Sequence, residues 1–191
     1  MKPETGDLTW RHRPFALRQW NTQNAGKLAL SCISRGYRKG SINGVQVQAH
    51  RVIWAMMTGE WPSLQIDHVN GRKSDNRWTN LRLATSSQNA ANTGARPGSS
   101  RFKGVSWDAS RSKWIATIRT ENSVKVNLGR FDLEADAAAA YDVAAAQMHG
   151  EFAVLNFPAG YALLERHGRT LALRLARRGL SGQILPDQSA T

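Results

Sequence analysis

Cysteine is nearly absent from this chain: Cys32 is the one thiol in 191 residues. A lone thiol excludes an internal disulfide and any multi-cysteine zinc site. No base is placed beside it by spacing, so Cys32 reads as a small strand residue rather than a nucleophile. Long apolar runs are missing too. No stretch reaches the roughly 18 residues of a membrane-spanning helix, and the amino terminus lacks an apolar signal core. A soluble, intracellular protein with no membrane partner is expected. Acids are scarce, with 14 Asp and Glu against 26 Lys and Arg, for a formal charge of +12. Such an excess attracts phosphate backbones without specifying sequence. The imbalance is also segregated. Residues 94–131 hold eight basic side chains and two acids, whereas residues 132–157 hold five acids and no Lys or Arg. A uniformly solvated basic surface accounts for the total but not for that segregation.

The densest chemistry lies in residues 66–89. Asp67 and His68 are adjacent, Asn80 follows twelve residues after the histidine, and Asn89 nine after that. Oxygen donors beside an imidazole suit metal-assisted phosphodiester hydrolysis. A hard divalent cation prefers oxygen ligands, and a neutral imidazole near pH 7 can take a proton from water. Leu64-Gln65-Ile66 reads as a short strand ending at Asp67-His68, with Asn70-Gly71 opening a turn. Asn80-Leu81-Arg82-Leu83 alternates as a second strand with one buried face. Thr85-Ser86-Ser87-Gln88 has the form of a capping box, which puts Asn89 in the first turn of a helix. A hairpin followed by a helix would bring residues 67, 68, 80 and 89 to one spot. Taken singly, these asparagines would also serve as turn and cap residues.

Residues 49–92 resemble the phage-type HNH homing endonucleases, in their histidine–asparagine–asparagine form on a ββα-metal fold. The resemblance rests on Ala49-His50-Arg51-Val52-Ile53-Trp54, Thr58-Gly59-Glu60-Trp61-Pro62, Ile66-Asp67-His68, Asp75-Asn76-Arg77, Asn80-Leu81-Arg82 and Gln88-Asn89. Trp10-Arg11 and Gly36-Tyr37 resemble the strand-rich region that precedes the motif in phage members. The resemblance implies that His68 is the general base, that Asp67 and Asn89 ligate one divalent ion (magnesium, with manganese as a substitute), and that Asn80 orients the imidazole. It also implies products with 5′-phosphate and 3′-hydroxyl ends, and a cytoplasmic setting in a bacterial host if the chain is phage-encoded. Around the motif, residues 7–48 read as strand-rich, with breaks at Gly26, Gly36, Gly40 and Asn43-Gly44. Residues 49–58 read as a helix ended by Gly59. His50, within it, suits a packing or hydrogen-bonding role at least as well as a phosphate contact.

Residues 94–100, Gly-Ala-Arg-Pro-Gly-Ser-Ser, read as a linker. Beyond it, segments starting at Phe102, Lys113 and Val124 read as three short strands. Residues 134–148 read as one helix, capped by Asp132 and closed by Gly150. Trp114, Ala116 and Ile118 would face that helix, while Lys113, Thr117, Arg119, Lys125 and Asn127 face away. Residues 101–158 resemble the Apetala/ethylene-response-factor DNA-binding domain, through Lys103-Gly104-Val105, Lys113-Trp114, Ile118-Arg119, Leu128-Gly129, Phe131, Ala140-Tyr141-Asp142, Ala144-Ala145 and Leu155-Asn156-Phe157-Pro158. In that family the sheet lies in the major groove, so Lys103, Lys113, Arg119 and Lys125 are the implied DNA contacts. Ser106 and Asn127 stand where plant members carry arginine and tryptophan, so base specificity does not transfer.

The resulting expectation is an α+β protein: an endonuclease domain over residues 1–93, a linker over 94–100, a three-stranded antiparallel sheet packed on one helix over 101–158, and a basic helix or tail over 159–191. Its partner would be double-stranded DNA, with no obligate protein partner implied. Two other classes remain open at this point. A non-catalytic DNA-binding regulator would keep the sheet and use the HNH-like part as scaffold. A packaging protein would explain the charge but not the motif.

Overall fold

In the computed structural model, residues 1–16 and 18–158 are described; the expected basic helix at 159–191 lies outside the described residues. The fold is α+β. Two compact units meet in sequence at Ser86/Ser87, and each has its own apolar core.

The first unit opens with α1 (Arg18–Asn24) and a three-stranded antiparallel sheet of β1 (Cys32–Ser34), β2 (Tyr37–Ile42) and β3 (Val45–Gln48). The strand-rich expectation for residues 7–48 thus holds for the second half, while a short helix precedes it. α2 (Ala49–Thr58) follows directly. Its buried residues are Ala49, His50 and Ile53, one stripe at helical spacing. Gly59 stops it in the left-handed region at φ 83°, with its N–H bonded to the Ala55 carbonyl. Arg51 on α2 donates to the carbonyls of Pro62 (2.9 Å) and Leu64 (3.2 Å) and stacks over Trp61. The helix thereby holds the chain entering the next hairpin.

That hairpin is β4 (Gln65–His68) paired with β5 (Leu81–Ala84), in the register Ile66 to Leu83, Asp67 to Arg82 and His68 to Leu81. A 3-10 turn, Trp78–Asn80, leads into β5. Ile66 and Leu81 join Leu8, Leu30, Ala49 and Ile53 in the core beneath it. Burying each such side chain contributes about 1.5–3 kcal/mol, which fixes the hairpin face to the body and turns Asp67 the other way.

α3 (Ser86–Ala91) follows β5, and the contact division between the two units falls at its first residue, Ser86. The reason lies in its contacts. Lys103 Nζ donates to the Ala91 carbonyl at the end of α3, and Ser87 Oγ lies 3.4 Å from the Thr120 carbonyl. The second sheet is antiparallel, of β6 (Val105–Asp108), β7 (Lys113–Arg119) and β8 (Lys125–Phe131). Its first strand starts three residues later than the expected Phe102, because Phe102 packs on Phe157. α4 (Glu134–His149) covers one face of the sheet. Ala116, Ile118 and Leu128 meet Ala137, Ala140, Tyr141 and Ala144 there, and the alanines let helix and strand approach closely. Asp132 does not cap α4. The cap position is Leu133 without a side-chain bond, and Asp132 pairs with Lys113 instead. The linker is also shorter than its composition suggests: Ser100 is buried and its hydroxyl donates to Glu134 at 2.7 Å. Asp142 fastens the end of this unit, accepting the backbone N–H groups of Asn156 and Phe157 at 2.8 Å each. No helix among the described residues is long and apolar enough to cross a membrane.

Candidate functional site

Strand alternation cannot bury consecutive residues on one face, yet Ile66, Asp67 and His68 are all buried. Ile66 enters the core. Asp67 lies across the hairpin from Arg82, whose Nε donates to Asp67 Oδ2 at 2.9 Å with Nη2 also at 2.9 Å. His68 is enclosed by side chains from three other segments.

The first is the loop between the hairpin strands. His68 Nε2 lies 3.0 Å from Asn76 Oδ1. With the Asn76 amide in this orientation its oxygen accepts, which assigns the proton to Nε2 and the basic lone pair to Nδ1. The side chain found against the imidazole is thus Asn76. Asn80 works on the backbone: its Oδ1 accepts from Asn70 N–H at 2.9 Å and its Nδ2 donates to the Asp75 carbonyl at 2.7 Å. Those two bonds close the loop that carries Asn76. Asp75 reinforces it, its Oδ1 accepting from Arg77 Nε at 2.8 Å and its Oδ2 from both Arg77 Nη2 at 2.6 Å and Asn70 Nδ2 at 2.8 Å. Arg77, then its own desolvation in the opposite sense, sets the Asp75 carboxyl well below the usual carboxylate range. Gly6 lies against the same loop. A Cβ there would come within 2.1 Å of the Asn76 carbonyl carbon, and its φ of 69° disfavours any side chain.

The second and third segments are β2 and α2. Tyr37 and His50 place their ring centroids 5.9 and 5.1 Å from that of His68, and 5.2 Å from each other. Burial, then the Asp67 charge, raises the Tyr37 hydroxyl above its usual range, so it stays a donor. Burial lowers the His68 imidazole below its ordinary value, with the Asn76 bond opposing, so the ring is neutral near pH 7. His50 is pushed down to about 3, first by burial and then by His68 and Arg51. Its Nδ1 is buried with no hydrogen-bond partner among the described residues, a condition that costs about 1–3 kcal/mol. A neutral, oriented imidazole beside a buried carboxylate can accept a proton from water.

The remaining sequence candidates lie in the second unit. Asn89 is the fourth residue of α3. On the face of the sheet away from α4, Arg119 stands opposite Lys125 and Thr117 opposite Asn127, as the strand period requires. Arg119 and Lys125 are both exposed, with Arg119 Nη1 donating to the Ser123 carbonyl at 2.9 Å. Lys113 is half-buried and ion-paired with Asp132. Lys103 is half-buried beside Tyr141, and its ammonium donates to the Ala91 carbonyl. Burial lowers it to about 8, with Asp142 opposing. Of the residues that now shape the site, Asn76 and Arg82 carried no assigned role in the sequence. Arg82 could have been found from the hairpin register. Asn76 could not, because its contact depends on the path of the loop over residues 69–77.

A hairpin bearing an acid–histidine pair, followed by a short helix and then a sheet with a basic outer face, defines a protein of the ββα nuclease type joined to a DNA-binding module. Comparison with known proteins agrees. Residues 47–91 match the family described as HNH endonuclease, and residues 100–151 match the AP2 domain. Protein 3.8 of Escherichia phage T7 is 31% identical over 106 residues, covering 54% of this chain and 86% of that protein. A protein of Acanthamoeba polyphaga mimivirus described as an uncharacterized HNH endonuclease is 34% identical over 113 residues, 58% of each chain. An ethylene-responsive transcription factor of Arabidopsis thaliana is 38% identical over 74 residues, 38% of each chain. The chain belongs to the HNH endonuclease family and carries an AP2 domain behind the nuclease motif. It spans 58% of the length of the mimivirus relative. No solved structure matches it.

Proposed function

We propose that this protein is a divalent-metal-dependent endonuclease that hydrolyses phosphodiester bonds in double-stranded DNA, with the AP2 sheet supplying DNA binding. The observation that carries this reading is the buried His68, kept neutral by its burial and oriented by its contact with Asn76, beside the Asp67–Arg82 pair. A scaffold for a binding-only regulator has no need of a neutral, oriented imidazole next to a buried acid.

His68 Nδ1 takes a proton from a water molecule as that water attacks the scissile phosphorus. The new bond joins the water oxygen to phosphorus, and the bond from phosphorus to the 3′ oxygen breaks. The 3′ oxygen leaves with a proton from solvent, giving a 5′-phosphate and a 3′-hydroxyl. Asn76 holds the ring through this transfer, and Asn80 holds the loop that carries Asn76. Asp67 and Asn89 are the residues that would hold the cation. The donor chemistry fits a hard ion. Both offer oxygen, the donor a hard ion prefers. A site with so few protein donors relies on water for the rest, the habit of magnesium. When bound, the ion would stabilise negative charge on the phosphate and the departing oxygen. In the second module Arg119, Lys125 and Lys113 are the proposed DNA contacts, with Lys103 assigned to holding α3. A homing-type role in a phage or other mobile element, in the bacterial cytoplasm, follows the family resemblance.

Incubation of supercoiled plasmid with the full chain tests this. Nicked or linear products with magnesium, and none with chelator, are expected. DNA ligase should reseal the nicks, as 5′-phosphate and 3′-hydroxyl ends require. Intact plasmid across magnesium and manganese, with DNA still bound, would establish the regulator instead.

A further inference from the structure

The histidine–asparagine–asparagine form of the motif uses one histidine, yet the structure packs two imidazoles together. His50 is 3% exposed, and its ring stands edge-on to that of His68, at 83° between planes and 5.1 Å between centroids. Its Nδ1 is buried with no hydrogen-bond partner among the described residues. A histidine placed only for packing could be replaced by an apolar ring with no loss of bonds. Here a polar ring is instead kept unsatisfied against the catalytic base.

Chemistry at His68 brings oxygens to this place. The attacking water lies about 2.6–3.2 Å from the base and about 3–3.5 Å from the reacting phosphorus. The phosphate therefore sits within roughly 6 Å of the His68 ring, the same range as the separation of the two imidazoles. We propose that His50 is a second catalytic residue, which donates a hydrogen bond from a ring N–H to a non-bridging oxygen of the scissile phosphate. The inference rests on the nuclease reading above and adds a residue to it. The donor is neutral imidazole, because burial beside His68 and Arg51 keeps the ring uncharged. A preorganised neutral donor gains strength as charge develops on the phosphate oxygens, and so acts on the chemical step more than on binding. The missing partner in the free protein is then supplied by the substrate.

The test uses the full chain and a duplex bearing a cleavage site mapped on plasmid DNA. Sulfur replaces either non-bridging oxygen of the scissile phosphate in turn. His50→Phe keeps the ring volume and removes both nitrogens. Its single-turnover rate should fall about 10- to 100-fold, the scale of losing one donor to a developing oxyanion or slightly less. DNA affinity should stay within about twofold, since the contact strengthens in the transition state. The melting temperature should hold or rise, because an unsatisfied polar group has been removed. The wild-type sensitivity to sulfur at one of the two positions should shrink in the variant. A His50→Phe rate equal to wild type, or a sulfur effect unchanged by the substitution, overturns the proposal. If His50→Phe fails to fold, His50→Gln decides by retaining an N–H donor. It should keep at least about a tenth of the wild-type rate and the wild-type sulfur effect, and loss of both counts against the proposal. Absence of cleavage by the wild-type chain would remove the nuclease reading, and this inference with it.

Discussion

At the scale of single residues, the environment of His68 separates what a motif encodes from what a fold adds. The adjacency of Asp67 and His68, and the intervals to Asn80 and Asn89, were legible because short spacings in a hairpin leave little freedom. The imidazole's partner was not. Asn76 and Asn80 are four residues apart, and either could reach the ring until the loop is closed; only then is Asn80 committed to the backbone at residues 70 and 75. The buried histidines also have a thermodynamic consequence. His50 binds its proton near 6.5 when unfolded but only near about 3 when folded, so the unfolded chain holds more protons between those values. Its contribution to stability is complete above pH 6.5 and declines as the pH falls toward 3, with a slope of up to about 1.4 kcal/mol per pH unit. His68 is shifted in the same direction and adds to the trend. Denaturant midpoints should fall on acidification from pH 7 to 4, and His50→Phe should flatten part of that fall. Parallel curves for the two proteins would show that the His50 ring is not neutral in the folded state.

At the scale of elements, the clearest sequence signals were those with a repeated physical period or a hard stop. The helix over residues 49–58 had both, and is found at Ala49–Thr58 with Gly59 at its end. The first strand of the AP2 sheet had neither, and is displaced to Val105–Asp108 because Phe102 is drawn to Phe157. Asp132 failed as a helix cap because a lysine on the neighbouring strand takes its carboxylate. The loop from Val69 to Arg77 is the element on which the chemistry depends. Asn80→Ala removes two hydrogen bonds that close it, and should lower global stability by about 1–3 kcal/mol as well as slow cleavage. Asn76→Ala should differ. It spares the loop bonds, and should cost about 10- to 100-fold in cleavage rate, as loss of an imidazole's orienting partner does, with a smaller change in melting temperature. Paired calorimetry and single-turnover kinetics on the two variants check this contrast. Equal stability losses with equal rate losses would mean that Asn76 is merely structural.

At the scale of the whole molecule, the two modules were visible in composition. A glycine- and proline-rich stretch marks a break in the chain only when nothing binds its flanks. Here Lys103 and Thr120 engage α3 on one side of that stretch, and Ser100 engages Glu134 on the other. The basic character of the second module also divides once side chains are placed. Arg119 and Lys125 remain exposed on the outer face, while Lys103 turns inward. Neutralising Arg119 and Lys125 together should reduce the log–log salt slope of DNA binding by about 1.8, at about 0.9 for each phosphate contact. Lys103→Met should leave that slope unchanged, as binding isotherms between low and physiological salt will show.

The central claim is that His68 is the base of a DNA-cleaving centre. It is tested most directly by single-turnover cleavage of duplex DNA by wild type and His68→Ala, with DNA binding measured on the same preparations. The account predicts a rate loss of at least about 10²–10⁴-fold for His68→Ala with affinity nearly unchanged, because a general base lowers the barrier and not the binding free energy. Cleavage by His68→Ala at the wild-type rate would contradict it.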